Sequence, residues 1–257
     1  MAVCELDDPE VRVLVGLDHE DMRHVANRTD LIISKDNGST QQLLAAKAFG
    51  LWMKDTGCAK LLVHGDFAYI SPLSAVCTGL TRAVRDFAGC AGIVFFCSFH
   101  YEDYERDGIS WLLKSFLMQL LVYFFKIDLT PLLGGYLDAS RIGVDRLLDL
   151  FSMLYHQLPP DTTLFCLIDN INCYQMDENL EDTRKVIAML EDLVDKPTRG
   201  PVFKLLFTNQ PYKREEHKLV NFDADATIDM STLPKVQNRQ RNGKVSKWAG
   251  LVPHMSR

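Results

Sequence analysis

The chain has 257 residues, of which 47% are hydrophobic and 24% are charged, so it can bury the core of one large domain. Its net charge of −6 argues against a broad nucleic-acid-binding surface. The longest apolar stretch, residues 111–127, is shorter than the roughly 20 residues that span a bilayer, so it predicts a buried or half-buried helix and no membrane partner.

The predicted elements begin with an N-terminal lead-in over residues 1–38, followed by a helix over 39–53 in which apolar residues recur at helical spacing. Strands and helices then alternate. The predicted strands are 60–64, 92–97, 164–169 and 203–208, and the later helices are 72–87, 110–125, 144–158 and 179–194. Because these strands are apolar on both faces, they predict an α/β fold, a three-layer α/β/α sandwich with a mainly parallel sheet.

The C-terminal residues 218–257 are predicted to form a polar, basic tail. Six of the 28 basic residues follow Asp229, and no acidic residue does. A sparse basic segment is typical of a solvated terminus, so we expect no sequence-specific nucleic-acid role for it. A nucleic-acid adaptor that acts through this tail is a further hypothesis, and it would require salt-sensitive binding.

The cysteines and histidines show no spacing typical of a metal site. There are seven cysteines, an odd number scattered mostly through apolar runs, which indicates buried thiols in a reducing compartment. Neither they nor the seven histidines have the paired spacing of metal ligands. Residues 4–10 are acidic and do not form a secretory leader. We therefore expect no metal and a cytoplasmic location.

The turn after the first predicted strand is the first candidate site. Aligned on Gly65, the phosphate-loop pattern G-x-x-x-x-G-K-[ST] places Ile70 at the second glycine, Ser71 at the lysine and Pro72 at the metal-binding hydroxyl. Those positions normally supply the backbone curl, the positive charge and a ligand for Mg²⁺. Ser71 and Pro72 are instead well suited to start a helix, as N-cap and first helical residue.

The second candidate is Asp169, which ends the predicted apolar strand 164–169. In phosphate-loop NTPases such a strand lies beside the loop strand, and its acid holds Mg²⁺ through water. The alternative is an ordinary turn-forming aspartate. Asn170 and Asn172 follow, so a second carboxylate that could orient water is missing. After the last predicted strand, Gln210 stands where many related ATPases carry an arginine.

Three segments together resemble a known family. Residues 108–121 read G-x-x-W-L-L-K-S-F-L-x-Q-L-L, residues 167–169 read L-I-D, and residues 207–211 read F-T-x-x-P. Their order and spacing resemble the NACHT-like NTPase domain of fungal STAND proteins, the nephrocystin-like N-terminal type, over residues 39–217. The resemblance implies a phosphate-loop NTPase-like topology, binding of ATP or GTP, oligomerisation on triggering, and signalling through attached domains.

Only part of the family pattern is present. Gly65 and Asp169 match it, whereas the departures are at Ile70, Ser71, Pro72, Asn170 and Gln210. We therefore predict a degenerate, non-catalytic regulatory or protein-interaction module without a cofactor, with protein partners in a STAND-type assembly or through self-association. Gly65, Ser71 and Asp169 would be vestigial cofactor-binding residues. The alternative is a weak or unconventional ATPase or GTPase switch that binds ATP or GTP with Mg²⁺.

Overall fold

The computed structural model describes residues 9–35, 38–65, 71–101, 108–123, 142–176, 180–197, 199–210 and 219–233. The helices in these ranges are α1 (Pro9–Leu14), α2 (Leu17–Lys35), α3 (Ser39–Ala45), α4 (Lys47–Lys54), α5 (Pro72–Arg85), α6 (Cys97–His100), α7 (Gly108–Tyr123), α8 (Val144–His156) and α9 (Leu180–Asp195). The strands are β1 (Ala59–His64), β2 (Cys90–Phe96), β3 (Thr163–Asp169), β4 (Val202–Asn209) and β5 (Thr227–Asp229).

The five strands form one sheet in the order β2-β3-β4-β1-β5, and every pairing is parallel. Successive side chains of a strand point to opposite faces, so β2 places Ile93 and Phe95 in one hydrophobic cluster and Val94 and Phe96 in another. Helices α7, α8 and α9 cover the first cluster, and α2, α4 and α5 cover the second. The predicted three-layer α/β/α sandwich with a parallel sheet is confirmed.

The chain reverses its direction across the sheet between β1 and β4. From β1 it crosses through α5 to β2 at the far edge, and β3 and β4 then return toward β1. Right-handed crossovers therefore put α5 on one face and α7 to α9 on the other. In open α/β sheets, ligands bind in the crevice at the carboxyl ends of strands where the direction reverses. In this sheet, that crevice lies beyond the ends of β1 and β4.

The predicted strands are all present, but the helix predicted over residues 39–53 is wrong as a single element. Ala46 has an extended backbone, with φ −64° and ψ 135°, and it separates α3 from α4. After this break, Phe49, Trp52 and Met53 are all buried. The Trp52 ring meets Phe165 of β3 edge-on, at 5.7 Å between centroids, so the break orients α4 for packing on the sheet.

Regular structure is present on both sides of the predicted 39–217 domain. The two domain boundaries remain predictions. In the predicted lead-in, Met22 and Val25 of α2 are buried in the core. In the predicted tail, β5 pairs with β1, with Ile228 opposite Val63. A three-residue strand is too short to leave a periodic pattern in the sequence, so β5 could not be predicted.

Helix α7 is buried along most of its length. This agrees with the prediction of a buried or half-buried helix for the apolar stretch up to Tyr123. Residues 124–127 of that stretch lie outside the described residues. The buried side-chain amide of Gln119 in α7 bonds to the backbone at the outer edge of β2, the edge strand of the sheet. The Val94 N–H donates to Gln119 Oε1 at 2.9 Å, and Gln119 Nε2 donates to the Val94 carbonyl at 2.9 Å. At Val94, Gln119 thus makes the two bonds that a neighbouring strand would otherwise make. Across the described ranges, no helix is long and apolar enough to cross a membrane.

Replacing Gln119 with leucine should lower the free energy of unfolding. The substitution replaces the amide with an apolar side chain of similar size, so it leaves the buried N–H and C=O of Val94 without partners, at about 1–3 kcal/mol for each group. Urea denaturation would measure the loss. Ser115→Ala is the matched control, because it removes only the 3.1 Å bond from Gln119 to the Ser115 hydroxyl. Equal losses in both variants would contradict this role for Gln119.

Candidate functional site

Three polar side chains from three elements meet at the carboxyl end of the sheet. Ser74 lies in the first turn of α5, Asp169 ends β3, and Thr208 lies near the end of β4. The Ser74 hydroxyl donates to Asp169 Oδ2 at 2.6 Å, and the Thr208 hydroxyl donates to Asp169 Oδ1 at 2.5 Å. We refer to Ser74, Asp169 and Thr208 as the carboxylate cluster. Both oxygens of its acid are hydrogen-bonded within the protein.

Helix α5 begins as the sequence predicts, with Ser71 as its N-cap and Pro72 in its first turn. The Ser71 hydroxyl accepts from the backbone N–H groups of Leu73 and Ser74, both at 3.1 Å. The Ser71 N–H in turn donates to the Ser74 hydroxyl at 3.2 Å. Ser71 and Ser74 therefore form a reciprocal capping box, and the Ser74 hydroxyl belongs both to this box and to the carboxylate cluster.

Asp169 is buried, with 1% of its surface exposed. Burial raises the pKa of its carboxyl above the ordinary value, because a charged carboxylate loses its hydration there, and the hydrogen bonds from Ser74 and Thr208 act in the opposite direction. Loss of hydration is the larger effect. Asp169 is therefore a core acid held by hydroxyl groups, and no described cation is among the causes of its pKa shift.

The chain turns sharply directly after the acid. Asn170 has a φ of +59°, a left-handed conformation that asparagine tolerates better than most residues. Its N–H donates to the Thr208 hydroxyl at 3.0 Å, and two residues later the Asn172 side-chain amide donates to the Gln210 carbonyl at 2.9 Å. These bonds tie the segment after β3 to the end of β4, so they fix the geometry around Asp169.

Gly65 and the end of β1 lie at the same edge of the sheet. The Gly65 N–H donates to the Asn209 carbonyl at 2.9 Å, and His64 Nδ1 contacts Asn209 Oδ1. Gly65 thus continues the pairing of β1 with β4 by one bond. Ile70, the residue aligned with the second loop glycine, lies outside the described residues.

The structure links two of the three predicted site residues. Ser71 and Asp169 are joined through Ser74, whereas Gly65 bonds to β4. The expectation that the strand of Asp169 lies beside the loop strand is wrong, since β4 lies between β3 and β1. Ser74 and Thr208 were missed as partners of the acid. An N3 hydroxyl three residues after a serine N-cap was the available signal for Ser74. Thr208 lies in the F-T-x-x-P segment, but that segment did not indicate a contact with the acid.

The closed hydrogen bonding of the cluster limits its chemistry. Each oxygen of Asp169 already accepts a hydrogen bond from a hydroxyl, so a metal ion would have to use a remaining lone pair of a buried carboxylate. A phosphate at the start of α5 would compete with the Ser71 hydroxyl for N–H groups. Within the described ranges, no three or more His, Cys, Asp or Glu side chains form a group that could hold a metal ion. The arrangement is suited to holding α5, β3 and β4 together.

None of the protein-family models, curated proteins or solved structures compared with this chain matches it. What the site can do chemically is therefore inferred from the contacts of its own residues.

The raised pKa of Asp169 predicts a pH-dependent difference between the wild type and Asp169→Asn. In the unfolded chain an aspartate releases its proton near pH 3.9, before the native carboxyl does. The wild-type free energy of unfolding should then fall relative to the variant as pH rises from about 4 to the native pKa, by at most about 1.4 kcal/mol per pH unit, and level off above it. Urea denaturation across this range measures the difference.

The asparagine variant should keep the fold, because hydroxyl groups both donate and accept and can bond to an amide. Asp161→Asn is the matched control, since Asp161 is exposed in the turn before β3 and carries the same charge. A difference that grows in favour of the wild type as pH rises would contradict a raised native pKa.

Proposed function

We propose that this chain is a non-catalytic regulatory or protein-interaction module on a phosphate-loop NTPase-like fold, related to the NACHT domains of STAND proteins that its sequence resembles. The observation that carries the proposal is the carboxylate cluster. In an active enzyme of this fold, the acid and a helix hydroxyl would hold Mg²⁺. Here the hydroxyl of Ser74 donates directly to Asp169, so the two groups satisfy each other.

The burial of Asp169 supports the same conclusion. Magnesium requires near-ideal octahedral oxygen coordination at about 2.0–2.1 Å and gives up its water reluctantly. A site for it needs an ionised carboxylate open to water. Asp169 is not open to water, since its surface is buried, and that burial raises the pKa of its carboxyl and so disfavours the ionised form.

The start of α5 supports the proposal independently of the acid. A helix N-terminus binds phosphate because its first N–H groups point outward without partners. In α5, the N–H groups of Leu73 and Ser74 donate to Ser71, and a serine cap of this kind stabilises a helix by about 0.5–2 kcal/mol. The sequence also lacks the loop lysine that would neutralise a bound phosphate.

The proposed partners are proteins, in a STAND-type assembly or a second copy of this chain. This part of the proposal rests on the resemblance of residues 39–217 to the family. The closed cluster adds a physical condition: because its side chains join α5 to the paired strands β3 and β4, the scaffold needs no ligand to stay ordered. A module of this kind would present the same surface whether or not nucleotide is present.

A weak nucleotide-binding switch is the second candidate, and one contact favours it. A hydroxyl from the first turn of the helix that follows β1 lies against the acid at the end of β3, at 2.6 Å. That is the pair of ligands that Mg²⁺ would use in an active relative. If the Ser74 hydroxyl rotated toward an incoming ion, the pair could hold it.

Thermal unfolding separates the two candidates. A ligand that binds only the native state raises the free energy of unfolding by RT ln(1 + [L]/Kd), which is about 2.7 kcal/mol at one hundred times Kd. We expect no shift of Tm with millimolar Mg²⁺-ATP, ADP or GTP. A shift that is lost in Asp169→Asn but kept in Asp161→Asn would instead establish the nucleotide switch.

Sedimentation velocity tests the interaction half of the proposal. We expect any self-association to be the same with and without Mg²⁺-ATP, because the scaffold does not depend on the ligand. Association that appears only with nucleotide would contradict the proposal even if the shift of Tm were too small to detect.

A further inference from the structure

Two cysteines lie at the carboxyl ends of neighbouring strands, apart from the contacts of the carboxylate cluster. Cys97 directly follows β2 and begins α6, and Cys173 lies in the short 3₁₀ helix Ile171–Met176 that follows β3. Both are thiols in the structure. We propose that Cys97 and Cys173 form a reversible intramolecular disulfide on oxidation.

Strand register brings the two residues to the same place. Phe96, the last residue of β2, lies opposite Asp169, the last residue of β3, so Cys97 leaves β2 at the level of Asn170. Neighbouring strands are about 4.8 Å apart. The Cys173 N–H donates to the Asn170 carbonyl at 3.1 Å, and a turn closed in this way keeps its end residues within about 7 Å. The 3₁₀ helix that holds Cys173 also contacts α6, which begins at Cys97.

The two thiols also lie on the same face of the sheet. Cys97 belongs to the hydrophobic cluster covered by α7 to α9, and Cys173 packs against that same cluster. Cys77 of α5 belongs to the cluster on the opposite face. Cys58 and Cys90 stand before β1 and at the start of β2, respectively, which is the amino edge of a parallel sheet. Of these cysteines, Cys97 and Cys173 share both face and edge.

The exposure of the two side chains sets the order of events. Cys97 is fully buried, at 0% exposure, and burial raises its pKa well above the ordinary thiol value, with neighbouring Cys173 and Asp169 acting in the same direction. Cys173 is half-buried. An oxidant from solution therefore reaches Cys173 first, and Cys97 is the resolving thiol.

With hydrogen peroxide as the oxidant, the step balances in two stages. The Cys173 sulfur attacks peroxide, breaks the O–O bond and becomes a sulfenic acid, and one water is released. The Cys97 sulfur, once it has lost its proton, then attacks the Cys173 sulfur and displaces hydroxide, which leaves as a second water. Two thiols are oxidised to one disulfide, and one peroxide is reduced to two waters. A dithiol reductant reverses the change.

Peptide mapping under non-reducing conditions tests the proposal on the purified chain. After treatment with a small excess of hydrogen peroxide, we expect one cross-link between the tryptic peptides 86–106 and 147–184 and two fewer titratable thiols per chain. Each peptide has a second cysteine, Cys90 or Cys166, so fragmentation in the mass spectrometer must assign the bond. Reduction with dithiothreitol should restore both thiols.

Single substitutions provide the controls. Cys97→Ser should abolish the cross-link and let a dimedone-trapped sulfenic acid accumulate at Cys173, whereas Cys173→Ser should abolish both products. Cys58→Ser, another half-buried cysteine, should leave the cross-link unchanged. Circular dichroism checks that each variant is folded. A cross-link assigned to Cys90 or Cys166, or the absence of any cross-link in the folded wild type, would overturn the proposal.

Discussion

Burying the Asp169 carboxylate is the constraint that shapes the carboxyl end of the sheet. A buried acid is costly unless its oxygens are hydrogen-bonded, and here the donors come from two other elements, Ser74 of α5 and Thr208 of β4. The same Thr208 hydroxyl accepts from the Asn170 N–H, which holds the left-handed turn after β3. One carboxylate therefore fixes the start of a helix, the ends of two strands and the turn between β3 and the following 3₁₀ helix.

Helix α5 is held by polar contacts at its other end as well. Arg85 in its last turn forms an ion pair with Asp18 of α2 at 2.7 Å and donates to the Gly92 carbonyl of β2 at 2.8 Å. Its guanidinium also lies 4.2 Å from the centroid of the Tyr123 ring of α7. Between these ends, the helix packs its apolar face on the sheet. Apolar burial supplies the bulk of the attachment, and the terminal polar contacts specify the position of the helix along the strands.

The sequence was a good guide to this fold wherever burial produced a long periodic pattern. Apolar strands that alternate with amphipathic helices led to the correct elements from β1 to β4, and the Ser71-Pro72 pair marked the true start of α5. The missing information was tertiary. The break at Ala46 depends on how α4 meets the sheet, and β5 is held by pairing with β1 and not by any pattern of its own.

The candidate site shows the same division. Gly65 and Ser71 could be picked out because the loop pattern fixes their spacing, and Asp169 because it ends an apolar strand. Neither signal says which groups satisfy one another. The bond between Asp169 and Ser74 depends on the angle at which α5 leaves the sheet. The bond between Asp169 and Thr208 depends on the position of β4 between β3 and β1. Neither is encoded within one segment, so the partners of the acid became visible only in three dimensions.

These contacts explain how protein groups alone order the carboxyl end of the sheet. Two sets of polar groups need partners there, the N–H groups at the helix start and the acid at the strand end. Here Ser71 satisfies the first set and the hydroxyls of Ser74 and Thr208 satisfy the second. Because an unsatisfied buried polar group costs about 1–3 kcal/mol, these contacts stabilise the scaffold itself. The proposed role as an interaction module would use this property, since the module would then present the same surface with and without nucleotide.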